Sequence, residues 1–183
     1  MKKVVLTFGL ISGALSAVMM LMTVPFMDRL GFDRGAVYGY TAILLSFLLV
    51  FFGIRSYRDN VGGGGVTFGR AFTVGLLITI ISSACYVATW EVIYFKLAPG
   101  FSDKYAAYAL DKARRNGATD AQLAETARQL EQFKVMYSNP LVNAAMTFVE
   151  PFPVGLLVTV VSAAVLRRRP TTTGAAMGRM STS

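Results

Sequence analysis

The residue with the clearest chemical potential is Glu150, in "TFVEPFPVGLLVTVVSAAVLRRR" (Thr147 to Arg169), where a carboxylate sits against two prolines inside an otherwise apolar run. Proline has no amide hydrogen, and its ring clashes with the carbonyl four residues back. Pro151 and Pro153 therefore free the carbonyls of Thr147 and Val149 from helical bonding. A kinked helix with bare carbonyls beside a carboxylate has the donor set for a cation or a proton. At 1.5 Å per residue Glu150 stands about 25 Å along the helix from Arg167. Counting from Arg55 back to Tyr38 and from Arg70 forward to Tyr86 gives about the same depth. If these faces point inward, two phenols can donate to one carboxylate. Glu91 falls about one turn higher, beside Trp90, which fits an interfacial aromatic anchor. The competing reading starts the membrane helix at Pro151: prolines are tolerated in a first turn, and Glu150 then complements the positive helix end.

Other site chemistry is poorly supplied. Histidine is absent and Cys85 is the single cysteine, so zinc, haem and Cys/His nucleophile schemes lack their ligands or bases, and no metal or cofactor is expected. The loop "NVGGGGVTFGR" has the glycine spacing of a P-loop at Gly64 and Gly69, but Arg70 and Ala71 stand where lysine and Ser/Thr are needed, and no strand precedes it. It reads as a flexible turn whose Arg55, Arg58 and Arg70, with Arg167, Arg168 and Arg169 of the C-terminal flank, face anionic lipid headgroups.

The elements that position these residues are set by composition. With 54% hydrophobic and 15% charged residues the chain is too apolar for a soluble domain, and its formal charge of +8 is placed at the ends of apolar runs, which points to a membrane and not to nucleic acid. Four runs, at about 4–26, 36–54, 71–95 and 141–166, approach or reach the roughly 20 residues that cross ~30 Å of hydrocarbon. The first, after "MKK", is longer than a signal-peptide core and reads as a span. Lys2, Lys3 and the arginines of the second connection and C-terminal flank fall on one side, which is then cytoplasmic, with both termini.

The third connection is long enough to fold, and 101–138 reads as an extracytoplasmic amphipathic helical hairpin. Ser102 is expected as its first N-cap, Gly117 as a stop, and Thr119 with Gln122 as a capping box. Residues 170–183 read as a disordered cytoplasmic tail. Gly9, Gly13 and Ala17, four apart, make a narrow face for close helix approach, within the bundle or across a homodimer seam.

In order along the chain, "GIRSYRDNVGGGGVTFGRAFTVGLLIT", "YVATWEVIYF", "SNPL" and "FVEPFPVGLLV" resemble a bacterial membrane family known as domain of unknown function 4199, over about Leu6 to Leu166. The resemblance implies a four-helix inner-membrane protein and carries over no catalytic residue. The sequence thus points to an all-α, four-span membrane protein that is structural or partner-binding and not an enzyme. Its partners are the bilayer and either a second copy or another membrane protein. The alternative is a proton- or cation-coupled transporter, oligomeric, using Glu150, Tyr86, Tyr38 and Glu91. A third reading, an enzyme acting on lipid, would use Glu91 and Glu150 as base and acid.

Overall fold

A computed structural model describes residues 1–168, apart from the side chain of Asp28. The assignment of Arg169 to headgroups and the tail at 170–183 lie outside the described residues. The order of elements is α1 (Lys2–Thr23), a 3-10 turn (Val24–Phe26), α2 (Met27–Leu30), α3 (Phe32–Asn60), α4 (Phe68–Val92) running into a π-helical turn (Ile93–Leu97), α5 (Phe101–Arg115), α6 (Asp120–Tyr137), α7 (Pro140–Val149) and α8 (Pro151–Leu166).

Four helical runs, Lys2–Phe26, Phe32–Asn60, Phe68–Leu97 and Pro140–Leu166, are long and apolar enough to cross a membrane, as expected of a multi-pass membrane protein. The second is longer at both ends than its apolar stretch at 36–54. Asp33 and Arg34 before it, and Arg55, Arg58 and Asp59 after it, are good enough helix residues to extend α3 beyond the hydrocarbon. Large apolar side chains such as Leu10, Leu44, Leu48, Leu157 and Val165 point outward, where lipid would cover them.

Helix α4 is the hub and packs on α1, α3, α7 and α8, while α3 also packs along α1 and α8. Lipid tails are as apolar as leucine, so close packing and interhelical hydrogen bonds must hold such a bundle. A Cβ placed on Gly9 would lie 2.9 Å from Ile81, and one on Gly13 2.5 Å from Cys85 Cβ. The small-residue face of α1 is therefore filled by α4 and is not free to form a homodimer seam. Ser12 Oγ donates to the Ser46 carbonyl (2.7 Å) and lies 2.8 Å from Ser82 Oγ, and Thr79 and Thr159 pair their hydroxyls at 3.0 Å. Further toward the α3–α4 turn the interior closes with Val50, Ile54, Val74 and Ile78, all fully buried.

At that end Gly63 and Gly64 take positive φ (61° and 85°), which only glycine adopts readily, and Thr67 caps α4 by accepting from the Arg70 amide at 3.4 Å. The "GGGG" segment is thus a turn. An antiparallel bridge between Val66 and Arg168 ties this turn to the end of α8. It gathers Arg55, Arg58, Arg70, Arg167 and Arg168 at one end of the bundle with Lys2 and Lys3; Arg58 and Arg55 both reach Asp59, at 2.7 and 3.7 Å.

Helices α5 and α6 pack on each other at the opposite end. Helix α5 starts two residues earlier than expected, at Phe101 with Gly100 in the N-cap position, and Ser102 does not cap it, because its hydroxyl lies 2.7 Å from Tyr94 OH. It ends in a Schellman motif, with Gly117 (φ 84°) donating to Arg114 and Ala118 to Ala113. The capping box of Thr119 and Gln122 then opens α6.

Candidate functional site

A cavity of about 640 Å³ lies between the upper ends of α1, α3 and α4 and the hairpin, which forms its roof. Its walls are mainly apolar and aromatic: Met19, Met20 and Thr23 from α1, Phe32 and Tyr40 from α3, Tyr86 and Trp90 from α4, Phe101, Tyr105 and Tyr108 from α5, and Phe133 and Tyr137 from α6. Glu150 reaches it from the joint between α7 and α8.

The joint explains how a carboxylate comes to face this space. Glu150 has helical angles (φ −68°, ψ −59°), so the fourth run continues through it. Its amide bonds only weakly to Thr147 O, three residues back at 3.4 Å, and Pro151 has no amide to restore the ladder. Its side chain makes no capping bond to the first turn of α8. Instead it accepts from the Tyr86 hydroxyl, Oε2 at 3.3 Å. Both sequence readings of "VEPFPVG" find part of their geometry here: α8 begins at Pro151 with Glu150 at its N-cap position, while the apolar run continues through α7, and the exposed Glu150 side chain borders the cavity instead of capping the helix. Below the kink α8 packs on both α3 and α4; above it α7 leans on α4 and α6, away from the body of α3.

Two of the residues expected beside Glu150 are elsewhere. Tyr38 is half-exposed on the outer surface, and Tyr40 lines the cavity in its place. Depth along a helix does not fix direction: two residues turn the side chain by about 200° at 3.6 residues per turn. Glu91 is likewise one position, about 100°, from Trp90 and lines no part of the cavity. Its Oε1 is buried without a hydrogen-bond partner among the described residues, and no bond or shared cavity joins it to Glu150. Trp90 is not simply an interfacial anchor, because its Nε1 donates to Tyr137 OH at 2.9 Å and its ring meets Phe101 edge-on at 5.0 Å.

A polar brace that pattern reading missed supports the wall. Tyr137 OH lies 3.0 Å from Thr147 Oγ1, Thr147 donates to Asn143 Oδ1 (3.2 Å), and the fully buried Asn143 donates from Nδ2 to the Tyr137 carbonyl (3.2 Å). The available signal was Asn143 and Thr147 one turn apart in an apolar run. Burial pushes the Tyr137 phenol above its ordinary range, so it remains a protonated donor.

The roof is latched at its edges. Lys112 Nζ lies 2.7 Å from Asp33 Oδ1, and Lys134 pairs with Asp103. Each partner carboxylate raises the pKa of its lysine. Among the described residues no three His, Cys, Asp or Glu side chains gather as a metal site.

Residues 7–168 match the family described as protein of unknown function, DUF4199. The chain belongs to that family. No match was found among curated proteins or among solved structures. In this DUF4199 chain the match takes in the first apolar run from residue 7 onward, the other three runs, the hairpin and both halves of the fourth run, so the cavity is built wholly from the family's own region.

Proposed function

We propose that this chain is a multi-pass protein of the bacterial inner membrane that binds a ligand and catalyses no reaction, holding an amphipathic molecule in the vestibule between its helical bundle and its hairpin. The observation that carries the reading is the roofed cavity of about 640 Å³, with aromatic and methionine walls, Glu150 and Tyr86 at its inner end, and Lys112 and Lys134, paired with Asp33 and Asp103, at its roof. That volume is within the range of small-molecule sites, which are mostly apolar with a few placed polar groups. Helix α7 packs on α4 and α6 and not along α3, so the gap between α7 and α3 is where such a molecule would enter from the bilayer. The basic end is cytoplasmic by the positive-inside rule, which puts the hairpin and the vestibule outside. A homodimer or another membrane protein would then meet the outer faces of the spans.

The other readings have less support. A transport path from Glu150 toward the α3–α4 turn would have to pass the closed layer of Val50, Ile54, Val74 and Ile78. A lipid-directed acid pair would need Glu91 beside Glu150.

Trp90 is the only tryptophan in the chain and lines the cavity, so its fluorescence reports on the site. Gly39 also lines it, and a Cβ there would have nothing within 4 Å. Gly39→Leu is therefore expected to place a side chain in the vestibule, with its Cβ meeting nothing within 4 Å. Titrating the full chain in nanodiscs with a neutral, maltoside-headed amphiphile bearing a brominated tail is expected to quench Trp90 saturably in the native protein, and several-fold more weakly in Gly39→Leu. Equal quenching in both proteins would mean that the probe acts from the bulk lipid and would sink the reading.

A further inference from the structure

We infer that the vestibule selects an amphiphile with an ammonium head, seated on Glu150 and against the faces of Tyr40, Tyr86 and Trp90, with its tail along Met19 and Met20. This inference rests on the ligand-holding reading above and adds the chemical class.

The charges of the cavity are unequal in how they are satisfied. At the roof Lys112 and Lys134 are engaged by Asp33 and Asp103. At the inner end Glu150 has one neutral donor, Tyr86, and no cation pairs with it among the described residues. A carboxylate held near the membrane without a counter-charge is costly, and a bound cation offsets that cost, whereas an anionic head would add to it. The lining suits the same class: nine aromatic side chains share the cavity with the carboxylate, among them Tyr86, which donates to it, and Tyr40 and Trp90 of the bundle helices α3 and α4. Aromatic faces carry negative quadrupole charge and attract ammonium groups, including quaternary ones that cannot donate a hydrogen bond. Toward α1 the wall becomes Met19 and Met20, whose flexible thioethers adapt to chains of varied shape. A carboxylate with aromatic faces for the head, and methionine for the tail, fits an amphipathic cation. The same head occurs on phospholipids with an ammonium headgroup and on free amphipathic amines.

The test uses the full chain in nanodiscs and three amphiphiles with one brominated tail and three heads: trimethylammonium, sulfate and maltoside. Quenching of Trp90 by the ammonium probe is expected at roughly tenfold lower concentration than by the maltoside probe, with sulfate weakest. Glu150→Gln keeps an acceptor for Tyr86 and should bring ammonium and maltoside together while maltoside itself quenches as in the native protein, which also shows the vestibule intact. Should Glu150→Gln not fold, Tyr40→Leu, which removes one aromatic face, should narrow the ammonium preference several-fold. Sulfate binding as well as ammonium in the native protein would overturn the inference, as would an ammonium preference undiminished by Glu150→Gln. Saturable maltoside quenching alongside either of these results would leave the vestibule reading standing and remove only the charge class; loss of maltoside quenching as well would remove both. The source follows from the native-to-variant ratio in discs of phosphatidylglycerol with and without phosphatidylethanolamine, since surface accumulation of the probe cancels in that ratio. A preference masked by phosphatidylethanolamine marks the lipid headgroup as occupant, and one that persists marks a free amine; both uphold the ammonium class.

Discussion

At the scale of single residues, the same side chain or the lack of one has opposite consequences in different places. Gly155 of α8 sits where a Cβ would lie 2.5 Å from Thr79 Cγ2 and 2.7 Å from the Phe47 ring, and its carbonyl accepts from Thr79 at 3.3 Å. Gly39 has open space. Gly155→Ala should therefore lower stability by about 1–3 kcal/mol through overpacking, while Gly39→Ala should be neutral or stabilising by up to about 1 kcal/mol through helix propensity. Thermal unfolding of the purified protein in one detergent checks both, and equal effects would mean that α8 is not wedged between α3 and α4 as described. The residue scale is also where sequence reading reached its limit. The level of Tyr86 and Glu150 was legible because rise per residue is fixed. Tyr38 and Tyr40 differ by only about 3 Å in depth, and their directions are decided by how α3 rolls against its neighbours. Composition and spacing do not encode that roll in a helix that is apolar nearly all round.

Among elements, the hairpin is joined to the bundle by two kinds of contact of unequal weight. Phe32, at the start of α3, meets Phe101, Tyr105 and Tyr108 at centroid distances of 5.7, 5.6 and 5.0 Å, and beside it runs the Lys112–Asp33 pair. Lys112 and Lys134 have folded-state pKa values raised above the ordinary 10.5 by their carboxylate partners. A raised lysine contributes its stability fully below the unfolded value and loses it as pH rises through the higher folded value. Both pairs are therefore fully formed at physiological pH, but they are exposed and worth little. The aromatic cluster must carry the docking. Phe32→Ala should loosen α5, seen as roughly tenfold or faster hydrogen exchange of its amides with those of α4 unchanged, whereas Lys112→Ala should change them little. The reverse ranking would make the latch electrostatic. The hairpin was legible in sequence because its boundary chemistry is local: a capping box and a left-handed glycine act within a few residues. Its docking was not, since Phe32 lies before the second apolar run and only the fold brings it to α5.

At the scale of the whole molecule, charge and apolar surface are sorted along one axis. The middle of the bundle exposes leucine, isoleucine and valine outward. One end gathers Lys2, Lys3, Arg55, Arg58, Arg70, Arg167 and Arg168, where a bridge from Val66 to Arg168 ties the α3–α4 turn to the end of α8. The hairpin occupies the other end, and its cations are largely tied to acids in pairs such as Lys112–Asp33, Arg115–Asp111, Arg128–Glu125 and Lys134–Asp103. Lysine and arginine in short flanks bias orientation, whereas those within a folded external unit weigh less, so the asymmetry favours the arginine end as cytoplasmic. Asn60, at the end of α3, and Asn116, at the hairpin turn, are both exposed and lie at opposite ends, so single cysteines there report orientation directly. On a Cys85→Ala background, which removes the only native thiol, Asn116→Cys should react with a membrane-impermeant maleimide in intact bacterial cells, and Asn60→Cys only after permeabilisation. The opposite pattern would invert the protein and place the vestibule on the cytoplasmic side. Glu150 would then face ligands drawn from the inner leaflet, while the packing that forms its cavity would be unchanged.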